Sequence, residues 1–480
     1  MKKCYYAKKC GGCAYIHEEY ENQLIEKQKS VQALFPRTKV SPIVGMDNPY
    51  HYRHKVYATF GYKEDGLVHA GMYEENSHNL IFAKDCLIQH NIANHIIQTL
   101  CDIANKLHIE PYNEDTQYGV LRHAYVRVSH ATNKALVVIV IGSKELPGSK
   151  TFVKELLEKE PRISSIVLNY NRKDTSLILG DTDKVLYGPG YITDTIHDIE
   201  FRISPKSFYQ INPVQTEKLY SIAIELANLK KTDNVLDACC GIGTISLCAA
   251  KSVHSVTGVE ISKDAIKDAI YNAKKNHINN AYFYAGDAGE FIDSLIDKPD
   301  VIFLDPPRSG MSKQAIDALV RLRTSRIVYI SCNPETQARD VKQLVKEGYR
   351  INKIVPVDLF PYTKHVETVV LLSHKSPDSH INVTVEFGKG EGKVPLDKIV
   401  ERAKQHQPVP KATYKMIQEY VEKKYGFKVH TAYIAEVKRE LGLSMYDASN
   451  AAEGLRQPRK HPTQKKVNAI KDALNYFNLL

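Results

Sequence analysis

Short, predominantly apolar runs punctuate the polar sequence at Val56 to Tyr62, Ala124 to Ser129, Leu136 to Ile141 and Ile166 to Tyr170. These runs are rich in β-branched and aromatic residues and predict strands. Between them, Asn91 to His108 and Lys150 to Lys159 carry apolar residues at helical spacing, so the first two hundred residues predict an α+β domain. The pattern changes at Pro205. An amphipathic helix over Val214 to Leu229 leads into strands at 234–238, 255–260, 281–285, 300–304 and 326–330 that alternate with helical stretches, and a further apolar run covers Val366 to Leu372. Regular βα alternation predicts a parallel, doubly wound α/β sheet. The polar connector SHKSPDSH then breaks the pattern, and the remainder reads as mostly helical, with a turn at Gly426. The expected organisation is an α+β domain over 1–204, an α/β domain over 205–375 and a helical extension over 376–480.

Chemistry first enters at the turn after the first α/β strand. In NVLDACCGIGTISL, Gly241 and Gly243 permit a tight strand-to-helix turn that lets a ligand approach the backbone. Glu260 ends the next strand 19 residues after Gly241, where a carboxylate can accept both hydroxyls of a ribose. A dinucleotide fingerprint would have a third glycine where this chain has Ser246, and Asp237 precedes the glycines. These two features resemble the class I S-adenosylmethionine (SAM)-dependent methyltransferases. Asp287, in AGDA after the third strand, can bond an adenine amino group or equally cap a helix. The fourth strand runs into DPPRSG, where Pro306 and Pro307 stiffen the turn behind Asp305. Amino-directed methyltransferases have an aromatic residue after such an acidic-Pro-Pro turn; here Arg308 follows.

The stretch IVYISCNPE sets Cys332 at a strand exit, on the same sheet edge as Asp237 and Asp305. A lone thiol there is ordinarily packing. Facing a methyl donor, it can instead add to carbon 6 of a pyrimidine and make carbon 5 nucleophilic. Such a reaction also needs a base to remove the proton on carbon 5. In VDLFPYTKHVETVVLL, His365, Glu367 and Val369 alternate along an expected strand, so either polar side chain can face the pocket or simply be solvated.

DPPRSG, IVYISCNPET and VDLFPYTKHVE together resemble the signature segments of the RNA uracil-C5 methyltransferase family, at that family's spacing. The resemblance implies that Cys332 is the nucleophile and Glu367 the base. It also implies that Gln210 (in SFYQIN), Glu260 and Asp305 line the SAM site. Cys239 falls where the family often has an aromatic residue packed on the cofactor.

Cys4, Cys10 and Cys13 lie close together, and Cys86 follows 72 residues later in AKDCLIQ. Their spacing suits zinc or an iron–sulfur cluster. The resemblance implies the [4Fe–4S] cluster of one branch of the family, and with it 23S ribosomal RNA as substrate. A T-loop uridine of tRNA is the other family substrate, and a non-catalytic RNA-binding factor is the rival outside it. YHYRHKVYATFGYK interleaves Tyr50, Tyr52 and Tyr57 with Arg53, His54 and Lys55 and is expected either to contact RNA or to be an amphipathic strand.

The bulk properties agree. Of the 480 residues, 65 are basic and 55 acidic, giving +10, which suits a polyanionic partner. From Ser376 onward there are 18 Lys/Arg and 12 Asp/Glu, so +6 of that charge lies in the extension, which includes RQPRKHPTQKK. No secretory signal or membrane-length apolar run is evident, and nine cysteines suit a reducing compartment. A cytoplasmic location is expected, with no obligate protein partner.

Overall fold

A computed structural model describes residues 3–74, 77, 79–175, 177–374, 414–441 and 462–476. The chain divides into two compact units, Met1–Ile381 and Asn382–Leu480. The connector expected near residue 375 lies outside the described residues except for Ser373 and His374, as does RQPRKHPTQKK up to His461.

The first unit holds two seven-stranded sheets. One contains β1 (Lys55–Tyr62), β2 (Val68–Tyr73), β3 (Leu80–Ile81), β4 (Leu121–Val128), β5 (Ala135–Ile141), β6 (Ile163–Tyr170) and β7 (Thr182–Tyr187), in the order β3-β2-β1-β4-β5-β6-β7. Its pairs are antiparallel except β5 with β6, which the helix Ser149–Lys159 connects. Both faces are covered, which explains why β4 and β5 are buried along their whole length. Helix Asn91–Lys106 packs on one face. On the other face lie the hairpin β8 (Ile192–Ile196) and β9 (Ile199–Ile203) and the helix Pro213–Ala227.

The second sheet contains β10 (Asn234–Ala238), β11 (Ser255–Glu260), β12 (Ala281–Ala285), β13 (Val301–Leu304), β14 (Arg326–Ser331), β15 (Tyr349–Val357) and β16 (Glu367–His374). Their order is β12-β11-β10-β13-β14-β16-β15, parallel from β12 to β14, with β16 antiparallel to both of its neighbours. The first crossover runs to one side of β10 and a later one to the other. A doubly wound sheet binds ligands at that switch point, outside the carboxyl ends of its strands.

In the second unit, the helices Tyr414–Tyr425, Thr431–Glu440 and Gln464–Tyr476 share a core of Ile417, Val421, Ile434, Val437, Ile470 and Leu474. Gly426, at φ 73°, makes the turn that ends the first of them.

Candidate active site

Side chains along a strand alternate between the two faces of its sheet. Asp237 shares the parity of Val235, and Asp305 that of Val301 and Phe303. Cys332 shares the parity of Val328 and Ile330, and Glu367 that of Val369. All these apolar residues belong to the core cluster that contains the helix Pro213–Ala227. Four reactive groups therefore lie at one edge of one face. The register of β14 with β16 pairs Ser331 with Thr368, so Cys332 and Glu367 are the adjoining residues at that end of the ladder.

Burial tunes these groups. Glu367 is 2% exposed, and burial first, then the Asp305 carboxylate, raise its pKa well above the ordinary value, against the pull of Arg308. Its Oε2 has no hydrogen-bond partner. Cys332 is half-buried, and burial followed by Glu367 pushes its thiol up to about 11; the Arg308 guanidinium, which donates a hydrogen bond to the sulfur, opposes this. Asp305 is raised to about 7 by burial and the Asp237 charge. Asp237 is raised to about 6 by burial, although Ser246 Oγ donates to its Oδ2 at 2.5 Å. Arg308, which the sequence marks only as a departure from an aromatic residue, is thus the cation of the site. Ser246 occupies the third-glycine position because it serves Asp237.

The cofactor side is built on the turn after β10. Cys239, Gly241 and Gly243 all have positive φ, at 73°, 55° and 82°. A Cβ at Gly243 would meet Phe283 Cζ at 2.9 Å, whereas one at Gly241 would meet nothing within 4 Å. Gly243 is thus required by the fold, and Gly241 leaves open space for a ligand. Glu260 accepts hydrogen bonds from Gly241 N at 3.2 Å and Ser262 N at 2.8 Å, which aim its remaining lone pairs. Asp287 caps the helix Ala288–Ser294 through Glu290 N at 3.0 Å. It also lines, with Cys239, Pro306 and Pro307, a cavity of about 500 Å³. These residues suit a nucleoside-bearing cofactor. Cys332 and Glu367 do not line that cavity; they occupy the next two strand ends along the edge.

Two expectations need correction. His365 does not alternate with Glu367 on a strand, because β16 begins at Glu367 and His365 lies in the preceding loop. There, burial and the Arg308 charge lower its pKa to about 4. Tyr52 and His54 are buried and unavailable to stack on RNA: Tyr52 Oη donates to Pro361 O at 2.9 Å, and His54 packs against His90. Tyr57 packs on Tyr125 and is half-buried, as are Tyr50, Arg53 and Lys55, so these four are the more accessible part of that stretch. Gln210 is buried in a tight crevice with His54, Lys55 and Arg127.

Cys4, Cys10, Cys13 and Cys86 come together around one largely apolar pocket, all as free thiols. Among the described residues, no three or more His, Cys, Asp or Glu side chains form a site for a single metal ion.

A parallel sheet of this order with a glycine turn after its central strand is the frame of a Rossmann-like methyltransferase. The crystal structure of the Pyrococcus abyssi tRNA (uracil-54, C5)-methyltransferase in complex with S-adenosyl-L-homocysteine is similar, with a TM-score of 0.64 at 27% identity over 74% of this chain and 84% of that one. The sequence profile of the tRNA (uracil-5-)-methyltransferase family matches residues 19–375. An uncharacterized RNA methyltransferase of Halalkalibacterium halodurans is 42% identical over 376 residues, 76% of this chain and 82% of that protein. One from Bacillus cereus is 42% identical over 380 residues, 77% and 82% of the respective chains. The chain belongs to the tRNA (uracil-5-)-methyltransferase family and is a SAM-dependent RNA methyltransferase of the uracil-5 class. Among the described residues, no helix is long and apolar enough to cross a membrane.

Proposed function

We propose that this enzyme methylates carbon 5 of a uridine in 23S ribosomal RNA through a transient bond between Cys332 Sγ and carbon 6. The observation that carries this reading is the convergence of Cys332, Glu367 and Arg308 at the end of the β14–β16 ladder, close enough for each charge to act on the others. Bound SAM supplies an electrophilic methyl group, and Gly241, Gly243, Glu260, Asp287, Asp305 and Cys239 are the residues to hold it. Gln210 is a further candidate to hold it.

The chain's own residues do the rest. The Arg308 guanidinium favours the Cys332 thiolate, whose lone pair bonds to carbon 6 while the ring's electrons move to an enolate. Once carbon 5 carries its methyl group, ionised Glu367 takes the proton from that carbon, the ring double bond re-forms, and the carbon–sulfur bond breaks to return the thiolate. The target base must leave its stack to reach Cys332, so the substrate is a single-stranded or flipped uridine.

Cys4, Cys10, Cys13 and Cys86 fit a [4Fe–4S] cluster. Burial and the three neighbouring cysteines push the Cys13 thiol up to about 12, a repulsion that a bound cationic centre would relieve. Zinc would need its sulfurs about 2.3 Å from one point; a cluster distributes them over separate irons, which suits thiols lining a pocket. When bound, the cluster supplies a covalent staple for the N-terminal segment.

The ribosomal assignment is tested by offering undermodified 23S RNA and a tRNA transcript with labelled SAM. Label entering only the 23S RNA supports it. Label entering only the tRNA favours the second reading, a tRNA uridine, which the named substrate of the Pyrococcus abyssi enzyme also favours.

A further inference from the structure

Residues 358–366 join β15 to β16 and deliver the chain to Glu367. Connecting loops ordinarily run over the surface, because a buried loop must find partners for its backbone. This one is buried at Asp358, Leu359, Pro361, Tyr362, Thr363 and Val366. Its partners come from distant parts of the sequence. Asp358 N donates to Val44 O at 2.9 Å, and Asp358 O accepts from Gln215 Nε2 at 3.0 Å. Leu359 O accepts from Asn212 Nδ2 at 3.0 Å, and Phe360 O from Lys27 Nζ at 3.1 Å. Pro361 O accepts from Tyr52 Oη at 2.9 Å. Tyr362, at φ 65°, donates from its N–H to Gln23 Oε1 at 2.7 Å and accepts at its carbonyl from Tyr15 N at 3.0 Å.

At the start of the loop, the Asp358 carboxylate binds Lys27 Nζ at 2.6 Å and Tyr20 Oη at 2.7 Å. The side chains of the Lys27–Asp358 pair are 1% and 0% exposed. A fully buried ion pair is a poor source of stability, because desolvation offsets its attraction, but it fixes geometry. Cys332 and Arg308 stand on other segments, the exits of β14 and β13. These hydrogen bonds hold the Glu367 side of the site and not the thiol side.

We infer that residues 15–52 are a clamp on the 358–366 loop and that Lys27 and Asp358 are positioning residues for Glu367, required for removal of the carbon-5 proton but not for addition of Cys332. The inference rests on reading Glu367 as the base.

The test separates the two half-reactions in the full-length protein. Lys27→Met, Asp358→Asn and the milder Tyr52→Phe are compared with the parent on 5-fluorouridine RNA, which reports adduct formation, and on uridine RNA, which reports completion. The double variant Lys27→Met/Asp358→Leu replaces the ion pair by apolar groups, so that melting temperature can recover without the positioning geometry. The clamp predicts adduct formation within about twofold of the parent, turnover reduced about tenfold or more with adduct accumulating on uridine RNA, and no recovery of turnover in the double variant. Equal loss of both half-reactions, or turnover that returns with the melting temperature, would overturn it. Normal clamp behaviour combined with full turnover in Glu367→Gln would refute the base assignment separately.

Discussion

Cys332 directly follows Ser331 and Glu367 directly precedes Thr368, the last recorded pair of the β14–β16 ladder, so the thiol and carboxylate stand at the same end of that antiparallel ladder, where the Glu367 charge acts on the Cys332 thiol. A buried carboxylate opposite a thiol disfavours the thiolate. Replacing Glu367 by Gln is therefore expected to lower the Cys332 pKa from about 11 and speed its alkylation by iodoacetamide several-fold at pH 8, because one unit is a tenfold change in thiolate. The same variant should form adducts yet turn over about a hundredfold or more slowly. Arg308→Ala should move the thiol the other way and slow alkylation.

Because burial and Asp305 hold Glu367 well above the usual carboxylate range, it is protonated at the acid side of its titration and gains basic capacity as pH rises. The product-release step is expected to accelerate with pH until that raised pKa is passed. Asp305→Asn removes the like charge and should shift this profile toward lower pH. Single-turnover release measured between pH 6 and 9 tests both statements.

The cluster of acids should also cost stability. Asp237 and Asp305 have folded-state pKa values of about 6 and about 7, above the usual 3.9 or so of an exposed aspartate. The folded protein therefore holds protons that the unfolded chain releases, and stability falls as pH rises from about 4 to about 7. Asp305→Asn removes its part of that loss. Its melting temperature is expected to exceed the parent's by a few degrees at pH 8 and to converge with it near pH 4.

The two glycines of the cofactor turn should behave differently. Gly241→Ala places a methyl group in open space at φ 55°, costing about 1–2 kcal/mol of backbone strain. It should remain folded while losing affinity for SAM in calorimetry. Gly243→Ala adds a clash with Phe283 to its strain at φ 82° and should destabilise the protein further, whether or not SAM is present.

The parallel strands of the second sheet were legible because they are short, mostly apolar runs whose exits carry Asp237, Glu260, Asp305 and Cys332, whereas β15 (Tyr349–Val357) was not anticipated. Local pattern fails where partners are remote. Tyr52 and His54 look like an RNA-facing stripe, yet the tyrosine is consumed by Pro361, 309 residues away. Lys27 looks like one charge on an ordinary helix until Asp358, 331 residues later, comes to meet it. At His365 the alternating pattern runs on past the true boundary, because the strand starts only at Glu367 and nothing local marks that start. Arg308 could have been found from the chemistry, since a thiol beside buried acids calls for a nearby cation.

The central claim is tested most directly by denaturing electrophoresis and peptide mapping after incubation with SAM and 5-fluorouridine substrate RNA. The account predicts a covalent protein–RNA complex whose linkage maps to Cys332, absent in Cys332→Ala, which should also fail to methylate uridine RNA. Undiminished formation of 5-methyluridine by Cys332→Ala would contradict it.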